Sequence, residues 1–308
     1  MLVTMFSYLG RRPQAERFLQ RMEQIGALSG PADATGWGWI RQGQVYYSRL
    51  LEPDPWRTMV LAHEGSVAFE QASSTRTMII LHNFLGIAQA ELGDLATGEA
   101  TLRGALAAAQ HLQETLALSR SKVCLAFLLC AHPDAACRDE AFALATEMVG
   151  TKGVNSIYLG MAHDALAQVH LRRGDFAAAE TDARRAIEVL RSVPALRVGA
   201  SATLIHALLG QERTQEACTV AETVLTEAEQ LGCLGFTDVG FRLAVAEARR
   251  RRGDTSGAAV ALSETLRHIE RRAERIPDPA WRRRYLEQVP DNARARALAA
   301  EWLGPATP

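Results

Sequence analysis

Lysine is nearly absent from this 308-residue chain: only Lys122 and Lys152 stand among 34 basic residues. The other 32 are arginines, which reads as a bias of the source genome and carries no functional signal. Aromatics make up 6% of residues, too few for an aromatic-rich sheet sandwich. Charge of one sign is missing as well, since 35 acidic residues leave a net charge of -1 and no overall polyanion partner is implied. The five cysteines, Cys124, Cys130, Cys137, Cys218 and Cys233, are odd in number and contain no CxxC pair, so reduced thiols are expected. No apolar stretch approaches the ~18 residues of a membrane helix. The apolar start, Met1 to Gly10, has no basic lead-in and no small-residue cleavage site, so no signal peptide and a cytoplasmic location are expected. Phosphate loops of the GxxxxGK[ST] type, glycine-rich kinase loops and His-Arg-Asp catalytic loops do not occur.

What is present is a repeat. Leu85-Gly86-x-x-Gln89-x-x-x-Gly93-Asp94, with Gly98, Leu102 and Ala105 beyond, sets the spacing. Leu166-Ala167-x-x-His170-x-x-x-Gly174-Asp175, with Ala179, Ala183 and Ala186, repeats it without a gap. Val245-Ala246-x-x-Arg249-x-x-x-Gly253-Asp254, with Ala258 and Leu262, does so again. Weaker copies lack the turn glycine: Leu128-Leu129 with Ala141, Ala145 and Met148, and Leu204-Ile205 with Ala217, Ala221 and Val224. A sixth copy, Trp39-x-x-Gln42-Gly43-x-x-Tyr46, has a longer turn through Glu52 to Pro55. Small residues at Gly86, Ala167 and Ala246 let two helices approach closely. Gly93, Gly174 and Gly253 suit the positive φ that ends a helix, and Asp94, Asp175 and Asp254 suit the cap of the next. Gly98 departs from the alanine of its counterparts at a cost in helix propensity.

This pattern resembles the tetratricopeptide repeat, a helix–turn–helix unit with W-x-x-L-G-x-x-Y in its first helix and a small residue in its second. Anchors at Gly43, Gly86, Leu129, Ala167, Ile205 and Ala246 give steps of 43, 43, 38, 38 and 41 residues. These exceed the ~34 of the standard unit and are similar to the longer repeats of MalT-type regulators. The fold class implied is all-α, a right-handed α-α superhelix of about six to seven helix pairs, a curved rod with a capping pair at its C-terminal end. Residues 1–30 are read as a partial repeat, 31–270 as the solenoid, and 271–308 as cap and tail. The stretch Leu9-Gly10-Arg11-Arg12 to Leu19 looks like a turn and second helix whose first helix would start before Met1. Near the other end, helices around 280–288 and 291–303 are expected, with Asp291 or Asn292 as cap and with Trp281, Tyr285, Leu286 and Val289 closing the last face. Together with Asp54-Pro55-Trp56, that tail resembles the C-terminal repeat region of bacterial signalling proteins that carry a serine/threonine kinase domain and a regulatory ATPase.

The resemblance implies a binding surface. In such superhelices the first helices of each pair line the concave side. Residues three before, one after and four after each small site share that face. They are Ile40, Gln44 and Tyr47; Asn83, Ile87 and Ala90; Asp164, Gln168 and Leu171; Ala202, His206 and Leu209; Leu243, Glu247 and Arg250. The polar members, Gln44, Tyr47, Asn83, Asp164, Gln168, His206, Glu247 and Arg250, are the candidate groove residues. Polar groups set among apolar ones suit an extended peptide.

Other constellations favour plainer readings. Cys124, Cys130, His132 and Cys137 lack metal-ligand spacing and read as buried small thiols. His163, Asp164, His170 and Asp175 have no accompanying nucleophile or oxyanion site, and His170 occupies a packing position. His63-Glu64 does not begin HExxH, because Val67 stands where the second histidine belongs. From Phe241 onward, 14 arginines face 9 acids, which reads as a salt-bridged surface and not as a nucleic-acid contact. The expectation is a non-enzymatic, protein- or peptide-binding module with no catalytic residues, cofactor or metal, and with no nucleic-acid or membrane partner. A small-molecule effector sensor and an enzyme with an unrecognised site are the alternatives.

Overall fold

The computed structural model describes residues 1–29, 33–231 and 235–303. Cys233 lies outside them. Sixteen helices and no strands are present among the described residues. In chain order they are α1 (Leu2–Tyr8), α2 (Arg12–Ser29), α3 (Ala34–Leu50), α4 (Pro55–Gln71), α5 (Thr75–Glu91), α6 (Leu95–Leu112), α7 (Thr115–Cys130) and α8 (Ala135–Gly150). There follow α9 (Ser156–Arg173), α10 (Phe176–Val189), α11 (Pro194–Gly210), α12 (Thr214–Leu231), α13 (Asp238–Arg251), α14 (Thr255–Glu274), α15 (Pro279–Gln288) and α16 (Pro290–Trp302). Consecutive helices pack on one another, and α1 also packs on α3, α5 on α7, α7 on α9, α9 on α11 and α11 on α13. The chain is an all-α solenoid of stacked helix pairs. No helix among the described residues is long and apolar enough to cross a membrane.

Turn chemistry explains the pairing. Gly93, Gly174 and Gly253 take φ of +89°, +77° and +88°, a region that costs a side-chain-bearing residue about 1 kcal/mol or more. The Asp94, Asp175 and Asp254 carboxylates then accept the backbone N–H of Thr97, Ala178 and Gly257, satisfying amides that no helical carbonyl reaches. Asp33, Asp54, Asp134, Asn155 and Asp278 cap α3, α4, α8, α9 and α15 in the same way. Gly98 has a reason that its helix propensity hides. A Cβ there would sit 2.6 Å from the Gly86 carbonyl oxygen, so glycine on both helices permits the close approach of α5 and α6.

Two expectations need correction. First, the repeat register in two helices is shifted. Gly86, Ala167 and Ile205 lie eleven residues into α5, α9 and α11, and the same depth in α3 and α7 is Val45 and Ala126, both fully buried. Gly43 instead faces Leu19 and Met22 of α2. The seven residues of α1 form a short helix that packs on α2 and α3. Second, α16 starts at Pro290 with Val289 as its cap residue, because proline tolerates the first helical position. Asp291 turns inward toward Gly240, and the Asn292 amide donates to the Tyr285 carbonyl. The cap folds back onto early turns: Arg284 donates to Asp94 at 2.9 Å, and Trp281 meets Trp56 edge-on with centroids 6.2 Å apart. Arg275 lies 3.8 Å from Glu52 and 3.9 Å from Asp54. Part of the basic excess near the C-terminus thus holds the two ends of the solenoid together.

Candidate functional site: a central cavity

Closure of the solenoid surrounds a cavity of about 1480 Å³. Odd-numbered helices supply its wall, with Ser48 and Arg49 from α3, Asn83 and Ile87 from α5, Arg120 and Phe127 from α7, Asp164 and Gln168 from α9, His206 from α11, and Glu247 and Arg250 from α13. The cap adds Tyr285, Asp291, Arg294 and Trp302 on one side, and Tyr8 and Phe236 reach in from α1 and from the segment before α13.

Six of the eight candidate groove residues line this cavity: Asn83, Asp164, Gln168, His206, Glu247 and Arg250. Gln44 and Tyr47 do not. The Tyr47 hydroxyl donates to Glu16 at 2.6 Å and the Gln44 amide to Glu23 at 2.7 Å, both on α2. The displaced register of α3 is the cause. Counting from Val45 in place of Gly43 brings Arg49 to the cavity wall instead, beside Ser48.

Asp164 is 3% exposed and has no cationic partner among the described residues. It accepts from Thr203 at 2.8 Å and from Gln168 at 3.3 Å. Burial raises its pKa from 3.8 to about 6, against the lowering effect of those two bonds. The Asn83 amide donates to the Ile79 carbonyl and to Ser121, while its own buried carbonyl oxygen has no partner. Near the cap, the Arg294 guanidinium donates to Glu247 at 2.6 Å, and His206 lies 3.5 Å from the other oxygen of that carboxylate. Burial pushes the pKa of His206 down despite the Glu247 charge, so the imidazole is mostly neutral near pH 7. Arg250 stacks over Trp302, 5.3 Å from the ring centroid.

Sequence reasoning missed Arg120 and its surroundings. The available signal was an arginine within the largely apolar stretch Leu116 to Cys130, two residues before Lys122. Arg120 is 5% exposed. Its guanidinium lies 4.2 Å from the Phe84 ring centroid and donates to the Tyr46 and Tyr158 hydroxyls at 3.1 and 3.5 Å. Tyr8 faces the same group. Burial pushes the Tyr8 and Tyr158 phenols above their usual range, so these neighbours stay neutral.

The remaining constellations have structural surroundings. Cys124 and Cys130 are buried, and the Cys130 thiol donates to the Ala165 carbonyl. Asp182 lies 2.9 Å from His163 and 3.7 Å from His170, whose ring packs edge-on against Phe142. No group of three or more histidine, cysteine or acidic side chains fit to hold a metal occurs among the described residues.

No protein-family model matches the chain, and comparison with the curated proteins finds no match. Among solved structures, the chain is similar to a signal transduction ATPase with numerous domains (STAND) protein with a tetratricopeptide repeat sensor, from Pyrococcus horikoshii, at 12% identity and a TM-score of 0.43. That match covers 95% of this chain and 47% of the other, so the present chain spans about half the length of that protein.

Proposed function

We propose that this chain is a non-catalytic, tetratricopeptide-type sensor or scaffold that takes a partner segment into its central cavity. It would pass that event to a kinase or nucleotide-binding ATPase in the same protein or in trans. One observation carries the reading: side chains on the wall of a cavity this large keep unpartnered polar atoms, as the Asn83 carbonyl and the Arg120 Nε–H show. Buried polar groups cost about 1–3 kcal/mol each when unsatisfied, so their retention on an inner wall favours a recognition role. An extended peptide offers alternating donors and acceptors to such a wall.

A second reading, a small-molecule effector as in MalT-type repeats, is favoured by the closure. The cap limits the space to somewhat more than the ~300–1,000 Å³ of ordinary ligand pockets, too little for a folded domain.

The test is affinity capture from lysate with wild-type chain and with Gln168→Ala plus Arg250→Ala. Neither change removes a core side chain, so folding is retained. The double variant is expected to lose at least roughly tenfold in recovery of specific partners, the equivalent of about one or two polar contacts. Equal recovery would count against the cavity as the binding surface.

A further inference from the structure

Among the described residues, no carboxylate lies within ion-pair distance of Arg120. This is unusual, because an arginine is almost never fully buried unless paired. Arg49 nearby shows the ordinary solution: its guanidinium makes a bidentate pair with Glu91 at 2.7 and 2.9 Å. Arg120 has only neutral hydroxyls and the face of Phe84, and its buried Nε–H has no acceptor at all. The Nε–H itself is shielded, but the side chain lines the cavity, so the guanidinium stands at the wall a ligand would meet.

We propose that Arg120 anchors an anion site within the cavity, taking the carboxylate or phosphoryl end of a small organic anion. A planar guanidinium with a free N–H matches an oxyanion geometrically, and the charge-assisted bond gains strength in surroundings of low dielectric. The Tyr158 hydroxyl, which lines the cavity, accepts from Arg120 and keeps its own O–H free to donate to the same oxyanion. The apolar body of the ligand has Phe127 and Met161 of the same cavity wall to pack on. The proposal rests on the cavity being the recognition site.

The probes are sodium phosphate and sodium benzoate, titrated into the full chain by thermal shift and calorimetry against sodium chloride at matched ionic strength. At least one probe should give a saturable rise in the wild-type midpoint at concentrations up to the order of 10 mM, through ligand linkage. Phosphate alone identifies a phosphoryl ligand, benzoate alone a carboxylate, and both a general oxyanion site. Arg120→Gln should weaken the response roughly 10- to 100-fold. Should that variant fail to fold, Tyr158→Phe, which removes one hydroxyl and keeps the ring, is expected to weaken it by about threefold or more. No saturable response in the wild type overturns the proposal, as does a wild-type response in Arg120→Gln or an undiminished one in Tyr158→Phe. If the anions fail while lysate capture still depends on Gln168 and Arg250, the anion site falls and the sensor reading stands. If the anions bind through Arg120 while capture ignores the cavity, the sensor reading falls and the anion site stands.

Discussion

Phe241→Ala is expected to lower the unfolding free energy by about 3–5 kcal/mol, the largest stability effect of any single truncation argued for this chain. Phe241 is fully buried on α13, in the core that also holds Leu208 of α11, Leu262 of α14 and Tyr285 of the cap. Removing the ring forfeits its transfer free energy and leaves a cavity that four packed helices cannot collapse to fill. In a repeat array each pair is stabilised mainly by its neighbours, so the loss should first loosen the pairs from α11 onward. Urea unfolding followed by circular dichroism is expected to show a lower midpoint and a broadened transition. A change of less than about 1 kcal/mol would mean that α13 is not enclosed between neighbouring pairs.

Asp164→Asn should act in the opposite direction. The native carboxyl holds its proton up to about pH 6, against an ordinary value of 3.8, because burial penalises the charge. The folded state therefore binds this proton more tightly than the unfolded chain. The contribution of Asp164 to stability is complete below pH 4, declines as pH rises toward 6, and stays low above it. At 1.36 kcal/mol per pKa unit the decline amounts to about 3 kcal/mol. Asparagine keeps an acceptor for Thr203 and never ionises. The variant should match the wild type at pH 4 and exceed its stability by up to about 3 kcal/mol at pH 8, measured as paired thermal or urea unfolding. A variant less stable than the wild type at pH 8 would show that the charge is compensated in the native state. A stabilising change on the cavity wall that also weakens partner capture would mark Asp164 as a residue kept for recognition at the expense of stability.

Much of this architecture is legible in the residues, because its determinants are local. The Gly93-Asp94, Gly174-Asp175 and Gly253-Asp254 turns combine a backbone conformation that only glycine adopts easily with a side chain that caps the next helix. Such signals need no knowledge of the rest of the chain. Register is less secure where the turn glycine is missing. Gly43 resembles the small site of the other copies, yet it serves contact with α2, and the inner face of α3 accordingly carries Ser48 and Arg49 in place of Gln44 and Tyr47.

Features that depend on distant parts of the chain were not readable. Arg284 and Asp94 meet across 190 residues, and nothing in either neighbourhood announces the other. The Arg120 environment is assembled from α1, α3, α5, α7 and α9, one side chain from each. Only a charge in a largely apolar helix, two residues from Lys122, hinted that something must compensate it.

The most direct test of the inner surface as the recognition site is hydrogen–deuterium exchange of the chain with and without its captured partner. Slowed exchange should concentrate on α5, α7, α9, α11 and α13, whose residues face the cavity, with α6, α8, α10 and α12 little changed. Protection confined to those even-numbered helices would contradict the account.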